Sequence, residues 1–106
     1  MHKLLESQTV EFKQIWKDEY LKTICAFANS EGGFLYIGLD DNSKVLGVEN
    51  IEELLEILPN KINNRLGLVV DISIKNSNTQ NYLEIKVNKT YAPISYNDKF
   101  YIISCS

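Results

Sequence analysis

The segment from Thr23 to Asp41 combines a helix pattern, two glycines and an uninterrupted apolar run. Apolar residues recur at the i, i+3, i+4 and i+7 spacing of one helical face, at Leu21, Ile24, Cys25 and Ala28. We expect Gly32 and Gly33 to end this helix, because glycine adopts positive φ without a Cβ clash. Residues 34–37, Phe-Leu-Tyr-Ile, lack polar alternation and predict a strand covered on both faces. The rest of the chain is therefore expected to pack around this helix–strand pair.

Apolar/polar alternation and turn residues predict the remaining elements. Asn50, followed by Glu53, resembles a capping box and opens a second helix that closes at Gly67. Pro59 is expected to kink that helix or to start a fresh turn. The strands are predicted at residues 7–13, 34–39, 45–48, 69–75, 82–87 and 99–103. The order βαββαβββ predicts an α+β fold, a mixed and mainly antiparallel sheet packed with two helices.

Composition and length limit the classes of function that this chain can have. The 106 residues predict a single domain, spanning 1–106, and no apolar run is long enough to cross a bilayer. With no signal peptide recognised, the cytoplasm is the expected compartment. A net charge of −3 argues against coating nucleic acid by bulk charge, so binding would need a local basic face or a bridging metal. Cys25 and Cys105 are expected to be free thiols, and His2 is the only histidine.

Three strings of residues carry a family resemblance. They are Glu6-Ser-Gln-Thr-Val-Glu-Phe-Lys13, Ala26-Phe-Ala-Asn-Ser-Glu-Gly-Gly33 and Tyr36-Ile-Gly-Leu-Asp-Asp41. In this order and spacing they closely resemble the Schlafen-type AlbA domain. The later strings Leu46-Gly-Val48, Ala92-Pro93 and Tyr101-Ile102 also fit its pattern, so the resemblance covers nearly the whole chain.

The resemblance implies an Alba-like α+β fold and, in bacteria, a DNA-binding module of transcriptional regulators, often beside an ATPase or winged-helix part. In animal Schlafens a related fold is a metal-dependent endoribonuclease, whose three acidic residues correspond to Glu6, Glu11 and Asp41. Two departures stand out. The family's terminal Tyr-Ile-Arg-x-Gly pattern is absent, since this chain has Ile103 and Cys105. The animal nuclease also builds its RNA groove from two lobes, and one is present here.

The implied acidic set makes a metal-site hypothesis. Three converging carboxylates bind Mg²⁺ or Mn²⁺, which prefer oxygen ligands, and the ion would activate water for attack on RNA. Glu6 and Glu11 are five residues apart, so a joint site requires Glu6 to lie in a turn before the strand. Structural roles are the alternative for each residue: a turn for Asp41, an ion pair with lysine for Glu11 and solvent exposure for Glu6.

Outward lysines form the candidate nucleic-acid surface. The candidates are Lys13, Lys17, Lys86, Lys89 and Lys99, together with Tyr82. If the first strand and strand 82–87 share a sheet, Lys13 and Lys86 are predicted to share a face with Tyr82. Such a surface holds phosphates by charge and bases by stacking. The alternative is that these lysines merely solvate an ordinary sheet face, and Glu11 and Glu84 would weaken the field.

The leading hypothesis is a DNA- or RNA-binding module of a transcriptional regulator. It is predicted to be a homodimer that pairs through an exposed final strand. One alternative is a metal-dependent endoribonuclease using Glu6, Glu11 and Asp41 with Mg²⁺ or Mn²⁺. The other is a dimerisation or docking domain that binds no nucleic acid.

Overall fold

The computed structural model describes residues 9–102, which form a helical layer on a four-stranded sheet, followed by a small hairpin. Helix α1 spans Leu21–Ala28 after a 3₁₀ turn at Asp18–Tyr20, and α2 spans Ile51–Leu66. The strands are β1 (Val10–Lys13), β2 (Gly33–Ile37), β3 (Asp71–Ser77), β4 (Gln80–Val87), β5 (Ser95–Tyr96) and β6 (Lys99–Phe100). No helix within this described range is long and apolar enough to cross a membrane.

The main sheet has the strand order β1-β2-β4-β3. Strand β1 runs parallel to β2, whereas the β2–β4 and β3–β4 pairs are antiparallel. The predicted α+β class, with a mixed and mainly antiparallel sheet and two helices, is confirmed.

The large core lies between the helices and one side of the sheet, which we call the first face. Leu35, Ile37, Leu83 and Ile85 project from β2 and β4 and are fully buried there. The helices contribute the complementary apolar side chains, including Ile24, Phe27, Leu58 and Ile62. This packing accounts for α2 running through the exposed Pro59, because the buried residues on either side hold both turns against the sheet.

A glycine with positive φ follows each helix. Gly32 has φ of 81°, and its N–H donates to the Phe27 carbonyl at 2.8 Å. Gly67 has φ of 70° and donates to the Asn63 carbonyl, also at 2.8 Å. The predicted stop at Gly67 is confirmed, because Gly67 is the C-cap of α2. Helix α1 ends earlier than predicted, at Ala28 with Asn29 as its C-cap, and Gly32 follows the turn at 29–31.

The strand predicted at 34–39 ends at Ile37, and two other predicted strands are reduced further. The 45–48 segment is reduced to a bridge between Leu39 and Val45, because the N–H groups of Leu46 and Gly47 both bond to the Gly38 carbonyl and the ladder stops. The final segment, predicted at residues 99–103, contributes only β6 within the described range. It pairs with β5 outside the main sheet.

Candidate nucleic-acid interface

The second face of the sheet is the side opposite the two helices. Strand register assigns to it Val10, Phe12, Phe34, Tyr36, Asp71, Ser73, Lys75, Tyr82, Glu84 and Lys86. Phe34 lies directly opposite Lys86, and Tyr82 lies directly opposite Lys75. Each pair places an aromatic ring beside a lysine on neighbouring strands, since directly opposed side chains lie about 5 Å apart at Cβ.

Tyr36 is the centre of an aromatic cluster on this face. Its ring centroid lies 6.0 Å from that of Phe12, 6.2 Å from that of Phe34 and 6.0 Å from that of Tyr82. Phe12 and Tyr36 are buried, whereas Phe34 and Tyr82 are only partly buried. The cluster therefore makes a small second core whose two outer rings reach the surface.

A hydrogen bond fixes the polar end of this cluster. The Tyr36 hydroxyl donates to the Glu84 carboxylate at 3.0 Å. Burial raises the pKa of the Tyr36 phenol above its usual value, and the neighbouring Glu84 carboxylate raises it further. Tyr36 is therefore neutral at physiological pH, and one acidic group of the face is already engaged.

The lysines of the second face are available to a ligand. Lys75 and Lys86 are exposed, and neither forms an ion pair with any residue in the range 9–102. Asp71, opposite Lys86, and Glu84 add two negative charges to the same surface. The face therefore carries two positive and two negative side chains, and its charge is locally balanced.

The predicted sharing of one face by Lys13 and Lys86 is wrong. Lys13 pairs with Ile37 in the parallel β1–β2 register, and this places it on the first face, whereas Phe12 points to the second. Its ammonium group lies 3.3 Å from the Glu11 carboxylate and 4.8 Å from the centroid of the Tyr20 ring. The two lysines belong to one sheet but to opposite sides of it.

The other predicted binding residues are dispersed. Lys17 is exposed after β1 and lines a shallow cavity of about 340 Å³ with Lys13, Tyr20 and Asp41. Lys89 follows β4, and its ammonium group lies 3.3 Å from the Glu31 carboxylate. Lys99 is exposed in β6, outside the main sheet. Only Tyr82 and Lys86 of the predicted set lie together on the second face.

The structure describes only two of the three predicted acidic residues, Glu11 and Asp41. Glu6 lies outside residues 9–102, Glu11 pairs with Lys13, and Asp41 is exposed at the cavity that Lys13 also lines. Within the described range, no three His, Cys, Asp or Glu side chains are grouped to hold a metal ion. Glu11 and Asp41 alone supply two of the six or more oxygen ligands that a divalent ion takes, and one Glu11 oxygen is paired with Lys13.

Comparison with known proteins decides the family. A family model described as Schlafen, AlbA_2 matches residues 6–103. The chain belongs to this family. Its motifs are therefore AlbA_2 motifs, and the roles of their residues follow from the contacts that they make here.

Solved structures share the AlbA_2 chain's fold. The crystal structure of the DIP2311 protein from Corynebacterium diphtheriae aligns with a TM-score of 0.75 and 21% identity, over 98% of this chain and 23% of that one. The solution structure of an N-terminal domain from Nitrosomonas europaea aligns with a TM-score of 0.72 and 20% identity, over 95% of this chain and 82% of that one. The name of that protein relates it to the ATP-dependent DNA helicase RecG. The AlbA_2 chain spans less than a quarter of the length of DIP2311.

The AFANSEGG string of this AlbA_2 chain has a structural role that the sequence pattern did not reveal. The Asn29 side-chain N–H₂ donates to the carbonyls of Ile94 and Tyr101 at 2.7 and 2.9 Å. The Cys25 thiol, whose pKa burial raises, also donates to the Ile94 carbonyl, at 3.2 Å. The motif therefore attaches the segment after β4 to helix α1.

Lys75 is a residue of the candidate surface that sequence reasoning missed. Alternation in β3 indicated that its side chain points outward, but no pattern showed that Tyr82 would be its neighbour. The β3–β4 register creates this pair, with the tight turn at Asn78 and Thr79 joining the two strands.

Proposed function

We propose that this chain is a nucleic-acid-binding module of a transcriptional regulator and that the second face is its contact surface. The observation that carries the proposal is the presence of two exposed lysines, each opposite an aromatic ring, on one side of the sheet. Membership of the AlbA_2 family and the helicase-related name of a structural neighbour support a role with nucleic acid.

The chemistry of this surface suits phosphate and base contacts of modest strength. Lys75 and Lys86 would each neutralise one phosphate, and Tyr82 would contact a base or a sugar. Two phosphate contacts predict a slope of log K against log salt between about −1.4 for single strands and about −1.8 for duplex. The interaction is therefore expected to be weak at physiological salt and measurable at low salt.

The test is a binding titration by fluorescence anisotropy with labelled oligonucleotides at 50 and 200 mM salt. Lys86→Ala and Lys75→Ala are each expected to weaken binding and to reduce the magnitude of the salt slope by about one. Arg65→Ala is the matched control, because Arg65 is exposed on α2, at the other side of the molecule. Equal losses in all three variants, or no binding by wild type at low salt, would contradict the proposal.

The remaining predicted lysines lie outside the second face, and each would contribute to nucleic-acid binding separately from it. Lys17 and Lys99 are exposed, whereas Lys13 and Lys89 would have to release the carboxylates of Glu11 and Glu31 to reach a phosphate. We therefore expect Lys17→Ala and Lys99→Ala to have larger effects than Lys13→Ala and Lys89→Ala in the same assay.

The nuclease alternative depends on Glu6 joining Glu11 and Asp41 around Mg²⁺ or Mn²⁺. Incubation with structured RNA and Mn²⁺ tests it directly. If the three carboxylates hold the ion, Glu11→Gln abolishes cleavage, whereas the control Arg65→Ala retains it. Identical cleavage by wild type and Glu11→Gln removes this alternative.

We also propose that the chain forms a homodimer, but through a strand other than the final one. Within the described residues, the final strand β6 pairs with β5, and the edges of the main sheet are β1 and β3. Strand β3 is the longer edge, with seven residues, and therefore offers more unpaired backbone groups. Light scattering after gel filtration measures the oligomer. An Ile74→Pro variant would block pairing at the β3 edge, because the Ile74 N–H points away from β4, while preserving a dimer formed elsewhere. A dimer that binds no nucleic acid even at low salt would instead support the docking role.

A further inference from the structure

We infer that the second face binds single-stranded nucleic acid in preference to duplex, with bases stacking on Phe34 and Tyr82. This inference rests on the proposed nucleic-acid function and adds the substrate class. Its basis is that the two outer rings of the aromatic cluster each lie directly opposite a lysine that has no ion-pair partner within residues 9–102.

The spacing of the two ring–lysine pairs matches a run of nucleotides. Lys86 and Tyr82 are four residues apart on β4, about 13 Å at 3.3 Å per residue. Phe34 and Lys75 lie on the two strands that flank β4, one on each side. The Phe34 and Tyr82 ring centroids are at most about 12 Å apart, because they lie 6.2 and 6.0 Å from the Tyr36 centroid between them. The backbone positions of the two lysines are about 14 Å apart along a diagonal of the sheet. Four-stranded sheets with surface aromatics stack about two or three bases.

The position of the rings selects unpaired bases. Base faces in a duplex are covered by their neighbours, and a duplex presents only base edges and phosphates to a protein. Phe34 and Tyr82 lie partly buried on a sheet surface and do not project as a wedge between base pairs. They reach a base face only where the base is already unstacked, as in a single strand.

The cluster also holds its outer rings ready for stacking. The Phe34 and Tyr36 rings are nearly parallel, with an interplanar angle of 15°, while Tyr82 packs against Tyr36 at 54°. Tyr36 is itself fixed by burial and by its bond to Glu84. A base that stacks on the outer rings therefore meets side chains whose motion is already restricted, which lowers the entropic cost of binding.

The experiment compares a labelled single strand with its own duplex in anisotropy titrations at 50 mM salt. Wild type is expected to bind the single strand more tightly. Tyr82→Leu and Phe34→Leu keep an apolar side chain but remove the π face, and each is expected to weaken single-strand binding about 5- to 150-fold. Tyr82→Phe should retain the wild-type affinity. Tyr91→Leu is the matched control, because Tyr91 is 99% exposed and lies beyond β4, outside the second face.

The outcomes separate this inference from the proposed function. Equal or tighter binding of the duplex, still lost in Lys86→Ala, overturns the single-strand inference and leaves the proposed function intact. Absence of binding to both forms overturns both. If a leucine variant fails to fold, the aromatic NMR signals of wild type test base stacking instead. Shifts of the Phe34 and Tyr82 ring signals on adding the single strand support stacking, and unchanged ring signals at saturation overturn it.

Discussion

The Asn29 side chain forms two hydrogen bonds, one accepted and one donated, with the backbone of Ile94, 65 residues away in the sequence. The side-chain Oδ1 accepts the Ile94 N–H at 2.6 Å, while Nδ2 donates to the Ile94 carbonyl at 2.7 Å. Nδ2 also donates to the Tyr101 carbonyl at 2.9 Å. One side chain at the end of α1 thus supplies partners to three backbone groups of the segment that follows β4. This explains the asparagine within the AFANSEGG string without any contact to a ligand.

The first prediction concerns this connection. Asn29→Ala should lower the free energy of unfolding by about 2 kcal/mol, because partly buried backbone groups lose their partners. Asn29→Asp should also destabilise at neutral pH, since a carboxylate accepts hydrogen bonds but cannot donate to the two carbonyls. Urea denaturation followed by circular dichroism measures both effects. Asn64→Ala, at an exposed position of α2, is the control and should change stability by less than about 0.5 kcal/mol.

The second prediction compares the two glycines with positive φ that follow the helices. Gly67→Ala should cost about 1–2 kcal/mol, because φ is 70° but no atom lies within 4 Å of the added Cβ. Gly32→Ala should cost about 3 kcal/mol or more, because its Cβ would also lie 2.6 Å from the Val87 carbonyl oxygen. Thermal and urea denaturation of the two variants measure the difference. Equal losses would show that the close approach to Val87 relaxes freely and that φ alone sets the cost.

The third prediction concerns alkaline pH and Tyr36. Its pKa is higher in the folded chain than the usual value of 10.0, chiefly because of burial. The resulting stabilisation is fully present below pH 10 and is lost as pH rises from there towards the folded pKa, because the unfolded chain releases the proton first. Tyr36→Phe lacks this contribution. The stability difference between wild type and Tyr36→Phe should therefore be constant from pH 7 to 9 and should narrow above pH 10. A difference that stays constant to pH 11 would contradict the assignment.

The fourth prediction concerns acid and Asp18. The Lys61 ammonium group donates to both Asp18 carboxylate oxygens, at 2.8 and 3.0 Å, and the Trp16 indole N–H donates to Oδ1 at 2.8 Å. These bonds hold the pKa of Asp18 below its usual value of 3.8, and the bond from Lys61 has the largest effect. Their stabilisation is present above pH 3.8 and is lost as pH falls through the lower folded pKa.

We expect Asp18→Asn to destabilise by about 0.2–1 kcal/mol at pH 6, a small effect because the Asp18 side chain is 56% exposed. The difference from wild type should shrink below pH 3.8 and in 1 M salt. Denaturation curves at pH 3, 4 and 6 measure it. Glu19→Gln is the control, since Glu19 makes no ion pair with the residues that the structure describes. An equal loss of stability in both variants would show that the effect comes from the change in net charge rather than from the Lys61 contact.

Local patterns were sufficient to predict most elements of this chain and the inward side of several of them. The helical spacing from Leu21 to Ala28 corresponds to α1, and the glycine at Gly67 corresponds to the end of α2. Alternation in β4 correctly separates buried Leu83 and Ile85 from the outward Tyr82 and Lys86. These features depend on residues close in sequence, where the period of side-chain direction and the permitted φ values act directly.

The candidate surface required the tertiary structure. Alternation in β1 separates Phe12 from Lys13, but it does not say which of the two faces the helices. Both faces of this sheet bury apolar side chains, so the apolar side of β1 packs with Tyr36 on the second face, and Lys13 is directed away from Lys86. The pairing of Lys75 with Tyr82 depends likewise on strand register. Residues distant in sequence become neighbours only through strand order and pairing, and an alternating pattern is equally compatible with either face.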